Sequence, residues 1–348
     1  MPKRGKVSQQ RIARDLGVSQ ALVSLALNGR KEGISPATYK RIWARALELG
    51  YSPKGMRVDP ALTASGAQHV GFILRAGLRL YHPTSFFGHV QHGLHEALEA
   101  RGHAAMFLGS EDLLTPEKLR RAFRPGHTLQ GVVLLGEVAR PFLEQLRALA
   151  PRIVAVSARY PGLCHSVQGN DFQSLDQVVQ HLYGLGHRRF GWLGGNAGLG
   201  RHESRLAALK AALASAGVDR DPRYVVVLTE GDRAEGAEAI HALLPHARRR
   251  DFPTAFVCYN STMAAGALKA LQREGWKVPA DLSLAGADIS RVNLEETPRV
   301  TGAGTHPEKM GEVAARLVLG ETATDEGFTD LVLASQFLPG DTTGPAPG

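Results

Sequence analysis

In the first fifty residues the apolar positions recur at helical spacing, whereas beyond residue 68 they come in short runs separated by helix-length stretches. In VSQQRIARDLGVSQALVSLALNG, residues 7–29, Ile12, Ala13 and Leu16 form an apolar stripe on a short helix that Ser8 caps and Gly17 ends. A second helix follows at once. Ser19 is its N-cap, and Ala21, Leu22, Val23, Ala26 and Leu27 supply its apolar face before Asn28-Gly29 stops it. The intervening Gly-Val-Ser allows a sharp turn, with Val18 filling the angle, so the pair reads as a helix-turn-helix. Ser35-Pro36 opens a third helix, which turns Tyr39, Ile42, Ala46 and Leu49 inward and closes a small core.

Eight apolar runs of strand length follow. One set spans 69–74, 103–109, 131–136 and 152–158, and the other spans 190–195, 224–229, 254–259 and 282–288. Amphipathic helical stretches lie between them. Strand and helix alternating in this way predict parallel sheets covered on both faces, and two sets predict two such lobes. Between headpiece and body lies KGMRVDPALTASGAQ, residues 54–68, which reads either as a plain linker or as a short helix with Pro60 at its first position. The Pro/Gly/Thr-rich tail, residues 341–348, reads as disordered.

Charge sharpens this division. Residues 1–58 hold 12 Lys/Arg against three acids, whereas the remaining 29 basic and 30 acidic residues nearly cancel, so the whole net charge of +8 sits in the small helical module. A basic module on a neutral body is the footprint of contact with nucleic-acid phosphates. The chain has no apolar run of membrane-span length and its basic start lacks a signal-peptide core, which predicts a cytoplasmic protein with no membrane partner. The two cysteines, Cys164 and Cys258, form no metal or redox pattern and read as buried thiols. GGNAGLG, residues 194–200, lacks the Gly-Lys-Ser/Thr ending of a phosphate loop and reads as a turn at a strand end. His89, His92 and His95 recur every three residues opposite Phe87, Val90, Leu94 and Leu98, which predicts a solvated polar helix face rather than a metal site. Neither a nucleophile elbow nor a zinc-protease motif is visible, so no catalytic residue, metal or cofactor is predicted.

IARDLGVSQALVSLALNG followed by ISPATYKRIWARALELGYSP resembles the DNA-binding headpiece of the lactose-repressor (LacI) family of bacterial transcription regulators. The matching positions are Ala13, Gly17-Val18-Ser19, Val23-Ser24, Leu27-Asn28-Gly29 and Leu49-Gly50-Tyr51-Ser52-Pro53, and the downstream order of elements extends the resemblance over nearly the whole chain. It implies an all-α headpiece over 1–53, a hinge over 54–68, and a periplasmic-binding-protein-like domain over 69–340. The domain's first lobe would take about 69–169 and 300–325 and its second about 170–298 and 326–340, with crossings near Gly169, near Arg299 and toward the C-terminus. The partners implied are a double-stranded DNA operator, a second copy of the chain, and a sugar-like or anionic small effector.

Site residues follow from the same resemblance. Gln20, Ala21 and Leu25 would read bases, Ser19, Ser24 and Asn28 would hold phosphates, Ser8 and Tyr51 would complete the DNA-binding set, and Leu62 would be the hinge residue wedged into the minor groove. Leu25 departs from the family's usual arginine, so it offers apolar contact where a bidentate bond to guanine is common, and predicts an altered half-site. Ligands on such lobes bind at the carboxyl ends of the strands. Those ends carry Arg75 and Arg79, Tyr81 with Phe86-Phe87, Ser157, Arg159, Arg201, Arg205, Asn260 and Asp288, of which Arg205, Asn260 and Asp288 match the family's hydroxyl-binding positions. The mixture of polar and aromatic groups suits a sugar, and the additional arginines point to an anionic derivative. Two rival classes remain at this level. A solute-binding protein would share the body without the headpiece, and an enzyme on this fold would need a catalytic constellation.

Overall fold

The computed structural model describes residues 8–27, 34–48, 68–78, 86–123, 129–219, 221–321 and 327–348. Three helices, α1 (Gln9–Leu16), α2 (Gln20–Leu27) and α3 (Pro36–Glu48), form the headpiece. The hydroxyls of Ser8, Ser19 and Ser35 accept from the backbone N–H groups of Arg11, Leu22 and Thr38 at 3.2, 3.1 and 3.1 Å, so each helix begins on a serine cap. Gly17 ends α1 in the left-handed conformation with φ 65°, where a side chain would be strained. Val18 then returns its N–H to Ala13 O at 3.0 Å, which sets the turn between α1 and α2. Ile12, Ala13, Val23, Ala26, Leu27, Ile34, Ile42 and Ala46 make the core. Ala21 is exposed and does not belong to it, because it sits on the first turn of α2, on the face turned away from α1 and α3. An Asp15–Arg45 ion pair at 2.6 Å ties α1 to α3.

The body continues through β1 (His69–Leu74), α4 (Phe86–Glu99), β2 (Ala104–Ser110), α5 (Pro116–Ala122), β3 (Leu129–Leu135), α6 (Arg140–Arg147), β4 (Ile153–Val156) and β5 (His165–Gly169). It then runs through α7 (Asp171–Gly184), β6 (Phe190–Gly194), α8 (Gly200–Ser215), β7 (Val225–Val227), α9 (Arg233–Leu243), β8 (Ala255–Cys258), α10 (Ser261–Arg273), β9 (Ser283–Gly286), α11 (Arg291–Glu295) and β10 (Thr301–Gly304). Last come α12 (Pro307–Val318), β11 (Asp330–Leu333) and β12 (Gln336–Leu338). The strands form two six-stranded sheets, ordered β11-β5-β4-β3-β1-β2 and β12-β10-β9-β8-β6-β7. Among the described residues every strand pairing is parallel except β10 with β12.

This topology moves two of the expected crossings. β10 belongs to the second sheet and α12 packs on the first, so the chain changes lobe at Thr305–His306 rather than near Arg299. β11 pairs with β5 in the first sheet and β12 with β10 in the second, which puts the last crossing at Ala334–Ser335 rather than near residue 325. The three crossings are bonded to one another. Asn170 N–H donates to Leu333 O at 3.0 Å, Thr305 Oγ1 donates to Leu333 O at 3.2 Å, and Ser335 Oγ donates to Asn170 O at 2.9 Å. The strands missing from the apolar pattern, HSVQG, TGAG, DLVL and QFL, lie beside these crossings, where polar bonding and glycine packing interrupt an apolar run.

Each lobe joins two helices through reciprocal glycines. A Cβ on Gly93 of α4 would lie 2.0 Å from Glu308 O of α12, and one on Gly311 of α12 would lie 1.9 Å from Val90 O of α4. Gly236 of α9 and Gly266 of α10 stand in the same relation to Met263 O at 2.1 Å and Arg233 O at 2.0 Å. Helix backbones can approach this closely only without side chains between them. His89 is drawn into the first of these contacts. It is buried, and its Nδ1 lies 3.2 Å from Glu308, so the expectation of a solvated histidine face holds only for His92 and His95, which lie within 3.3 and 3.7 Å of Glu96 and Glu99. The tail also departs from its composition. Thr342 is fully buried with its hydroxyl on Leu284 O at 2.7 Å, and Gly344 O accepts from the buried His187 ring at 3.0 Å, so this segment packs against the second lobe.

Candidate functional site

Two sites emerge from this architecture. On the headpiece, Gln20, Ala21 and Leu25 are exposed along α2, and Leu25 keeps 39% of its surface in solvent although it is a large apolar residue. The cap bonds of Ser8 and Ser19 use their oxygens as acceptors, which leaves each O–H free to donate to a phosphate. Ser24 is half-buried on the same helix. Asn28, Tyr51 and Leu62, with the rest of the expected hinge to residue 67, lie outside the described residues.

The second site is a cleft between the lobes, with about 510 Å³ of space that opens partly to solvent. Its walls come from carboxyl ends of strands. Arg75 follows β1, Gly136 and Glu137 follow β3, and Ser157 follows β4; Asn196 follows β6, Tyr259 and Asn260 follow β8, and Asp288 follows β9. The first turn of α4 adds Phe86 and Phe87, stacked edge to face at 5.3 Å, and α8 adds Arg201 and Arg205.

Charge in the cleft is organised around Asp171, the first residue after the crossing at Asn170. Its carboxylate accepts from Arg201 Nη2 at 3.0 Å, Arg205 Nε at 3.2 Å and Ser204 Oγ at 3.1 Å. Burial opposes ionisation, yet the two guanidinium groups outweigh it and hold this carboxyl below the usual carboxylate range. Arg205 is itself almost wholly buried. It donates to the carbonyl of Tyr259, lies over that ring at 4.7 Å from its centroid, and stands 3.8 Å from Asp288. Asp288 accepts from Ser261 N–H at 2.7 Å, and Asn260 caps α10 through Met263 N–H at 2.7 Å while donating to Gly231 O at 2.7 Å. Arg205, Asn260 and Asp288, which the sequence matched to the family's hydroxyl-binding positions, are thus each bonded to backbone groups.

Two side chains are left unanswered. Ser157 Oγ and Arg201 Nε are buried in the cleft wall with no hydrogen-bond partner among the described residues. Ser157 moreover has φ 61°, a left-handed conformation uncommon for a non-glycine residue, and Asn196 across the cleft has φ 54°, which asparagine tolerates more readily. A buried polar atom left unpaired costs about 1–3 kcal/mol, which a ligand could recover. Among the described residues two hydrogen bonds cross the cleft directly. Arg75 Nη2 donates to Asn196 Oδ1 at 2.8 Å, and the backbone N–H of Gly200 donates to Glu137 Oε2 at 2.8 Å.

Of the residues expected to bind an effector, the structure brings Arg75, Phe87, Ser157, Arg201, Arg205, Asn260 and Asp288 to one cleft. Arg159 is not among them. It is largely exposed and turns to Asp330 of β11 at 2.7 Å, because Ser157 takes the cleft position at the end of β4 and the next side chains face the sheet edge. Tyr81 and Arg79 lie outside the described residues. Sequence reasoning passed over Glu137, Asn196 and Tyr259, although the strand-end rule that found Ser157 and Asn260 applies to Glu137 and Tyr259 equally. Among the described residues no helix is long and apolar enough to cross a membrane, and no group of three metal-ligating side chains occurs.

Known proteins share this arrangement. The family model described as the periplasmic binding protein-like domain matches residues 179–343. The maltose regulon regulatory protein MalI of Escherichia coli (strain K12) is 32% identical over 96% of this chain and 98% of its own. A LacI transcriptional regulator from a Rhodococcus species superposes with a TM-score of 0.67 at 26% identity, covering 81% of this chain and all, 100%, of that one. The transcriptional regulator CelR in its cellobiose complex superposes with a TM-score of 0.67 at 24% identity, covering 97% of this chain and 100% of that one, and so shares its fold. Relatives of this kind are transcription regulators and not enzymes. With the exposed helix-turn-helix in front and the cleft body behind, the chain belongs to the lactose-repressor (LacI) family of DNA-binding transcription regulators.

Proposed function

We propose that this regulator acts as a repressor in the cytoplasm, binding a pseudo-palindromic operator as a homodimer and releasing or gripping it as a small sugar-like effector occupies the interlobe cleft. The observation that carries the effector reading is the cleft itself, where Ser157 Oγ and Arg201 Nε are buried and unpaired among the described residues and face groups rich in both donors and acceptors. A polyol supplies the matching hydroxyls, and the Phe86–Phe87 pair supplies an apolar face for a sugar ring. Coupling follows from linkage. Both lobes line the cleft and three bonded crossings join them, so a ligand that prefers one lobe arrangement shifts the spacing of two headpieces by its differential affinity.

One headpiece offers few base contacts, so two are needed over a symmetric site. Leu25 in place of the usual arginine favours a half-site read through a thymine methyl rather than a guanine. Selecting bound duplexes from a random pool with the full-length protein at about 150 mM salt, where nonspecific phosphate attraction is weakened, tests this directly. A palindrome with a modified half-site is the expected outcome, and it then serves as the probe on which candidate sugars are screened for release or tightening. Enrichment of a non-palindromic or random pool would refute the operator reading. A palindrome whose affinity no polyol alters would refute the effector reading.

A further inference from the structure

We propose that Glu137 restricts the cleft to uncharged effectors by occupying, with its own carboxylate, the position an anionic ligand would take. This inference rests on the cleft being the effector site and names the class of effector it accepts. The amino end of α8 points into the cleft, and a helix of 16 residues carries partial positive charge there. Its own N-cap residue is Leu199, which has no side-chain acceptor to offer. The cap comes instead from the other lobe, since Glu137 Oε2 accepts from Gly200 N–H at 2.8 Å. A charged carboxylate on a helix N-terminus is the interaction that a ligand phosphate or carboxylate would otherwise make.

The surrounding charges leave no surplus for a second anion. Arg201 and Arg205 are bound to Asp171, with Asp288 behind Arg205. Arg75, bonded to the neutral amide of Asn196, is the remaining described guanidinium in the wall, and Glu137 is the remaining described carboxylate in it. Three guanidinium groups therefore face three carboxylates among the described residues. Of the other arginines that would have argued for an anionic effector, Arg159 is turned away to Asp330 and Arg79 lies outside the described residues. A sugar phosphate would have to displace Glu137 and leave its carboxylate facing the incoming negative charge. A neutral sugar can approach Ser157 and Arg201 without doing so.

Inorganic phosphate is the probe, titrated by calorimetry into the full chain carrying wild-type Glu137, Glu137→Gln or Glu137→Ala. Glu137→Gln keeps an oxygen for Gly200 and removes only the charge, so it separates charge from capping. The wild type is expected to bind phosphate at least tenfold more weakly than Glu137→Ala, a difference of about 1.4 kcal/mol, with Glu137→Gln between them. Adding Arg201→Gln to Glu137→Ala should remove the gain and so place the phosphate in the cleft. Phosphate binding of the wild type as tight as that of either variant would overturn the proposal, as would no gain in both variants or a gain that survives Arg201→Gln. The titration needs no effector and no operator, so its failure is distinct from failure of the operator-release assay that tests the cleft as the effector site.

Discussion

Asp171→Ala asks what a buried charge network costs when its centre is removed. The substitution deletes the acceptor of Arg201 at 3.0 Å, Arg205 at 3.2 Å and Ser204 at 3.1 Å. Arg201 can turn to solvent, but the Arg205 side chain is only 4% exposed and would keep just the Tyr259 carbonyl and an Asp288 oxygen at 3.8 Å. Stranding one partner of a buried pair costs about 3–5 kcal/mol, a large share of the stability of an ordinary domain. For a lobe of this size that lowers the melting temperature by roughly 6–20 °C. Two of the three tryptophans, Trp192 and Trp276, sit in the second lobe, so urea unfolding followed by their fluorescence at pH 7 reads the effect where it arises. Asp171→Leu combined with Arg205→Met removes the pair together and should recover at least half of the loss, because neither charge is left buried. Acid should repeat the single variant in the wild type. A carboxyl held below its ordinary range contributes its full stability above the unfolded value of about 3.9 and loses it as pH falls through the lower folded value. A loss below about 1 kcal/mol in Asp171→Ala, the size of a surface pair, would refute the reasoning, as would a double variant weaker than the single one.

His187 is fully buried between Thr254, Ser283 and Gly344, and burial holds its pKa below the ordinary histidine value. The folded state prefers it neutral, so stability should be complete above about pH 6.5 and fall as pH drops below it; melting curves from pH 8 to 5 should show a shallower fall for His187→Asn, and equal slopes would refute this. His89, His165 and His181 are depressed by burial as well and should leave part of the slope in place. Gly311→Ala places a Cβ 1.9 Å from Val90 O and should destabilise the first lobe by about 1–3 kcal/mol in urea melts; a gain approaching the ~1 kcal/mol that alanine brings to a free helix would show that α4 and α12 do not meet so closely. Leu25→Arg should move the preferred half-site toward a guanine by about 1–3 kcal/mol in duplex selection, and an unchanged motif would remove Leu25 from the reading face.

The sequence by itself determined the elements whose causes are local. Ser8, Ser19 and Ser35 cap helices within three residues of themselves, Gly17 needs only its own φ, and the apolar runs fall on strands, most of them central and buried on both faces, with β2 and β7 at the sheet edges. Local periodicity also separated headpiece from body. What it could not determine was anything settled by a partner distant in the chain. Gly93, Gly236, Gly266 and Gly311 look like flaws in their helices until a second backbone occupies the space a Cβ would need. His89 repeats the spacing of His92 and His95 but is buried because α12, more than 200 residues later, covers it. The tail has a disordered composition, yet its hydroxyls and carbonyls find buried partners in the second lobe. In the cleft, strand ends could be named from the pattern, but which arginines face a ligand and which face a carboxylate depended on the tertiary structure. It turned Arg159 to Asp330, bound Arg201 and Arg205 to Asp171, and seated Glu137 on the opposite lobe, since the energy of a charge is set by what lies within a few ångströms of it and not by its neighbours in sequence.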